Sequence, residues 1–113
     1  MPVPSQNLEL SALEQKVMLV ILRQNPNAYG ISIQDRLRED TGKEYSVGSI
    51  YAVLDRLEEK GFVKSKAGEP TAERGGKRKL YFVLTGTGQA ALNEAMNAWA
   101  VLGRGIVWKG APA

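Results

Sequence analysis

Residues 46–61 read Ser-Val-Gly-Ser-Ile-Tyr-Ala-Val-Leu-Asp-Arg-Leu-Glu-Glu-Lys-Gly. Ser46 is a good helix N-cap, because its hydroxyl can accept from a first-turn N–H that has no partner inside the helix. Val47, Ile50, Leu54 and Leu57 then recur at helical spacing as one apolar stripe. Lys60-Gly61 closes the segment, a cation against the negative end of the helix dipole followed by a residue tolerant of the left-handed turn. Opposite the stripe stand Ser46, Gly48, Ser49, Ala52 and Arg56, with Tyr51 at the boundary. Small and hydrogen-bonding groups at the N-terminal end let a helix approach another surface closely, and its free N–H groups favour a phosphate.

Upstream, Ser11 with Glu14 makes a capping box. Leu10, Leu13, Val17, Val20 and Ile21 follow at helical spacing up to a stop at Asn25-Pro26, with Met18 and Leu22 widening the buried side. A second amphipathic segment runs from about Ala28 to Thr41, with Ile33 and Leu37 inward and Gly42 as its end. Tyr29 stands at its entry, either donating to a phosphate or packing there as an ordinary aromatic.

Downstream, residues 62–66 alternate as a short strand and residues 80–84 form a second β-rich run. Between them lies a glycine- and charge-rich tip, 67–79. From Phe62 to Lys79 there are six cations, Lys64, Lys66, Arg74, Lys77, Arg78 and Lys79, against two anions, so the hairpin exceeds the whole chain's net charge of +3. Such a tip either follows a phosphate wall, displacing counterions, or is a solvated basic loop. Thr85 then caps a last helix toward Leu102, whose stripe of Leu92, Ala95, Met96 and Trp99 is longer than a small domain needs to cover. A second subunit would bury it. Trp99 would otherwise line a cavity for a planar effector. Gly103 and Gly105 fray the end.

The order helix, helix, helix, strand, strand, helix is that of a winged helix-turn-helix: mainly α with a small β-hairpin. In 113 residues this makes one compact unit. We divide it into a DNA-binding domain over residues 8–84, a dimerisation helix over 85–107, and loose termini at 1–7 and 108–113.

The chain contains neither cysteine nor histidine, which removes disulfides, thiol nucleophiles and imidazole chemistry, and with them most enzyme designs and metal sites. A carboxylate enzyme would need an acid pair in a cleft, whereas the acidic residues fall mainly on helix surfaces. No catalytic role, cofactor or metal is expected. The longest apolar run, Val17 to Leu22, is far too short for a membrane span, and no secretion signal is evident; a cytoplasmic protein with no membrane partner is expected.

Three pieces in order resemble the PadR family of transcriptional regulators, in its smaller branch. These are the first helix leading to Asn25-Pro26 and Ala28-Tyr29-Gly30; Ser46-Val47-Gly48-Ser49-Ile50-Tyr51 with Leu54, Leu57-Glu58 and Gly61; and Arg78-Lys79-Leu80-Tyr81-Phe82 with Leu84-Thr85 and Gly88. The resemblance spans about residues 8–102. It implies a bacterial repressor that binds an inverted repeat in double-stranded DNA as a homodimer held by the C-terminal helix, released by a small aromatic or drug-like effector. Carried onto this chain, it places DNA contacts at Tyr29, Ser46, Gly48, Ser49 and Tyr51, with Arg74, Lys77 and Lys79 on phosphates. Leu92, Met96 and Trp99 would serve the dimer and effector. The alternative from another class is a winged-helix protein-interaction module or accessory subunit of a second regulator.

Overall fold

The structure is a computed structural model that describes residues 9–70, 78–107 and 109. The elements run α1 (Ala12–Gln24), α2 (Gly30–Thr41), α3 (Val47–Glu59), β1 (Val63–Pro70), β2 (Arg78–Leu84) and α4 (Gly86–Leu102). Three helices, an antiparallel hairpin and a closing helix are the expected winged helix-turn-helix.

The caps form as read. Ser11 Oγ accepts from Glu14 N–H at 3.1 Å while Glu14 Oε1 accepts from Ser11 N–H at 2.8 Å. Ser46 Oγ accepts from Ser49 N–H at 3.0 Å, and Thr85 Oγ1 from Gly88 N–H at 3.0 Å. At the end of α3, Gly61 takes φ of 79°, and the N–H groups of Gly61 and Phe62 turn back to the carbonyls of Glu58 and Leu57 at 2.9 Å each. That closure needs a left-handed residue, which is why glycine stands there.

The core joins α1, α2 and α3 to the root of the hairpin and the first half of α4. Val17, Ile21, Ile33, Ile50, Leu54 and Leu57 are fully enclosed. Three expectations change. Val47 was placed in the inward stripe of α3, yet it is 41% exposed, and Val53 is buried instead. Val47 sits at the margin of the face that buries Ile50, Val53, Leu54 and Leu57, so periodicity alone misassigns it. Leu22 was placed on the buried side of α1, but it is exposed with Leu19 and lines an open groove of about 540 Å³ between α1 and α2. Finally, α2 starts at Gly30 rather than Ala28. Ala28 is taken by the sheet: its carbonyl accepts from Phe82 N–H at 2.8 Å, a single antiparallel bridge beside β2.

β1 pairs with β2 from Val63–Leu84 to Ala67–Leu80, with an irregularity between Ala67 and Pro70. The strands therefore extend further toward the tip than residues 62–66 and 80–84. Arg74, Lys77 and Trp108 lie outside the described residues.

Candidate nucleic-acid interface

The cap of α3 also arranges its chemistry. The Ser46 hydroxyl, which accepts from Ser49 N–H, donates to Ser49 Oγ at 2.9 Å. Accepting from Ser46, the Ser49 hydroxyl keeps its own hydrogen for another acceptor. Gly48 beside it contributes no side chain, so the helix end can come close to whatever it meets. Ser46, Val47, Gly48, Ser49, Tyr51 and Ala52 are all exposed and carry no acid. Acidic residues enter α3 only at Asp55, Glu58 and Glu59. A polyanion is therefore tolerated at the N-terminal half of the helix and repelled at the C-terminal half. Arg56 is exposed, as expected, and its half-open side chain also brings Nε to 3.6 Å from Glu14 Oε2.

Tyr29, Tyr51 and Lys79 come together around the start of α2. Tyr29 is the N-cap residue of α2, and Ser32 Oγ accepts from its N–H at 2.9 Å. No side chain caps the first N–H groups of α2, which leaves the positive end of its dipole open. Lys79 Nζ stands 4.2 Å from the centre of the Tyr29 ring, within cation–π range. The Tyr81 ring meets Tyr29 edge-on at 5.9 Å. From the other side the Tyr51 ring reaches across from α3 onto the Gly30 backbone. A lysine, two phenols and a set of free N–H groups thus share one small region between α2, α3 and the wing root. Lys64 and Lys66 continue the positive surface along β1, both exposed.

Val47 is the surface residue that sequence reasoning missed. Its methyl groups stand beside Gly48 and Ser49 on the open end of α3, suited to the thymine methyl of a major groove. The signal was hidden because helical spacing puts it in line with Ile50 and Leu54.

On α4, Leu92 is 1% exposed and belongs to the chain's own core. This corrects its placement in the subunit contact, since a partner has no access to it. Met96 is partly buried against the same core. Trp99 is 60% exposed and anchored, its Nε1 donating to Gln15 Oε1 at 2.8 Å. Beyond it Val101, Leu102, Ile106 and Val107 are exposed.

A helix pair presenting an acid-free N-terminal end beside a basic hairpin defines a winged-helix transcriptional regulator. The sequence matches the Transcriptional regulator PadR-like family over residues 18–94, and the chain belongs to that family. It is 32% identical over 88 residues to a protein from Lysinibacillus sphaericus named Uncharacterized protein X, covering 78% of each chain. Among solved structures it is similar to a PadR family transcriptional regulator from Eggerthella lenta (29% identity, TM-score 0.62, 87% of this chain and 82% of that one). It is likewise similar to a PadR-like transcription factor from Bacteroides fragilis (28% identity, TM-score 0.70, 87% and 88%). The family is one of DNA-binding transcriptional regulators and is not enzymatic. No helix among the described residues is long and apolar enough to cross a membrane.

Proposed function

We propose that this PadR-family regulator is a cytoplasmic bacterial repressor that binds an inverted repeat as a homodimer and is released by a small aromatic effector. The DNA-contacting unit is residues 8–84, and residues 85–107 supply the dimer contact. The first two turns of α3 enter the major groove. Ser46, Gly48, Ser49 and Val47 meet base edges there. Tyr29, Tyr51 and Lys79, with the free N–H groups of α2, hold one phosphate, while Arg74 and Lys77 reach others from the wing tip. The observation that carries this reading is the convergence of Tyr29, Tyr51 and Lys79 at the open N-terminus of α2, next to an acid-free helix end.

The dimer reading rests on the apolar surface that α4 leaves uncovered, led by Trp99 and by Leu102 at 74% exposure. Gln15, Leu19 and Leu22 are spaced to share one face of α1, and Trp99 is bonded to its first member, so the two exposed surfaces adjoin. Two tryptophans brought together across a two-fold axis would offer a flat ligand two ring faces.

Selection of bound duplexes from a randomised DNA pool at moderate salt tests the function directly. An enriched inverted repeat with half-sites about ten base pairs apart is the expected result. Recovery of no preferred sequence, with binding lost as salt rises, would leave only a basic surface and turn attention to an acidic protein partner.

A further inference from the structure

We infer that Glu14 and Gln15, consecutive residues in the first turn of α1, mechanically couple the Trp99 end of α4 to the duplex-facing helix α3. The inference rests on the reading of α3 as that helix.

Glu14 holds α3. It is a buried charged residue, 2% exposed, and its carboxylate accepts from Lys60 Nζ at 3.0 and 2.9 Å as well as from Ser11 N–H at 2.8 Å. Arg56 adds an ion pair at 3.6 Å. Lys60 is the C-cap of α3 and Arg56 lies in its last turn, so the clamp grips the end of α3 farthest from the proposed groove.

Gln15 holds α4. Its Oε1 accepts from Trp99 Nε1 at 2.8 Å and its Nε2 donates to the Leu10 carbonyl at 3.1 Å. Neighbouring residues on a helix project about 100° apart. One turn of α1 therefore grips two helices in two directions, and a load on either reaches the other through a single backbone segment.

The lever is long. The 13 residues of α3 span roughly 20 Å at 1.5 Å per residue, so about 3° of tilt at the clamp carries the duplex-facing end about 1 Å. A hydrogen bond to a base edge does not survive that displacement. Whatever draws the Trp99 indole off Gln15, a flat ligand or a shift of the partner subunit, thus changes how α3 meets DNA. By linkage, a duplex on α3 must also change the surroundings of Trp99.

The second half of that reciprocity is measurable without knowing any ligand. In Trp108→Phe protein Trp99 is the sole tryptophan, and its emission is followed while a duplex selected from the random pool is titrated in. The expected result is an emission shift that saturates with binding. Gln15→Leu abolishes the shift while duplex affinity stays within about threefold. Gln15→Glu, which keeps an acceptor oxygen for the indole N–H, restores it. Glu14→Gln keeps the shape but loses the charge clamp; it weakens duplex binding about tenfold and diminishes the shift. Binding with no emission change, or a shift that persists in Gln15→Leu, overturns the inference. If no duplex binds, the function reading itself fails, and the coupling is then decided on free protein by hydrogen exchange. Gln15→Leu changes protection in the first turn of α3 if the link exists and leaves it unchanged if it does not.

Discussion

The Tyr51 ring fills the space that a side chain at Gly30 would need: a Cβ built there would stand 2.7 Å from Tyr51 Cε2. The two residues lie on consecutive helices of the helix-turn-helix, so their contact fixes both the angle between α2 and α3 and the direction of a phenol at the proposed phosphate site. Gly30→Ala is expected to displace Tyr51, cost about 1–2 kcal/mol of stability as an overpacked contact, and weaken duplex binding. Thermal unfolding and duplex titration check this. Adding Tyr51→Ala to Gly30→Ala should return much of the lost stability without restoring affinity; failure of that recovery would place the strain elsewhere.

Lys79→Ala removes the cation over the Tyr29 ring. Binding should weaken for every duplex alike, and the slope of log affinity against log salt should fall by about 0.9 for the one phosphate lost. A loss confined to certain sequences, seen by comparing the selected duplex with a scrambled one across salt, would argue that Lys79 reads bases instead.

Ser49→Ala should leave the helix cap in place, because Ser46 supplies the capping oxygen. It should change which base is preferred at one position of each half-site, by about 1–3 kcal/mol. Repeating the duplex selection with the variant measures it, and an unchanged consensus would remove Ser49 from base recognition.

Acid should expose the Glu14 clamp. Burial raises the pKa of its carboxyl, but the Ser11 N–H and the Lys60 ammonium outweigh burial and bring it below the ordinary 4.5. The folded state thus releases this proton more readily than the unfolded chain. The associated stability is fully present above the unfolded value and is lost as pH falls through the folded one. Unfolding midpoints measured from pH 6 to 3 should drop more steeply for the native protein than for Glu14→Gln. Parallel curves would show that Glu14 contributes no net pH dependence.

Leu92 and Leu102 separate core from partner contact. Leu92→Ala opens a cavity in the chain's own interior and should cost about 2–5 kcal/mol in the folded subunit. Leu102→Asp touches an exposed position, so it should spare the fold of the subunit and raise the dimer dissociation constant. Sedimentation alongside thermal unfolding distinguishes the two outcomes.

The sequence by itself determined the order of elements, the caps at Ser11, Ser46 and Thr85, the stops at Gly42 and Gly61, and the family. Each of these depends on residues within a few positions of one another, where backbone hydrogen bonding and side-chain periodicity act locally. Candidate contacts at Ser46, Gly48 and Ser49 were legible for the same reason: they follow from the cap and the face opposite the stripe. The tertiary structure decided what locality cannot. Val47 is open and Val53 closed because the neighbouring elements that enclose Ile50, Val53, Leu54 and Leu57 leave the margin of that face at Val47 uncovered. Ala28 leaves its helix because β2, more than fifty residues later, claims its carbonyl. Leu92 is spent on the core while Trp99 is not, because α4 crosses α1 at Gln15 and then leaves the body of the protein. Glu14 reads as half of a capping box, and only the arrival of Lys60, 46 residues away, makes it a buried clamp. Periodicity says which residues share a face, whereas burial depends on how far the neighbouring element extends, and that is settled only when all the helices pack.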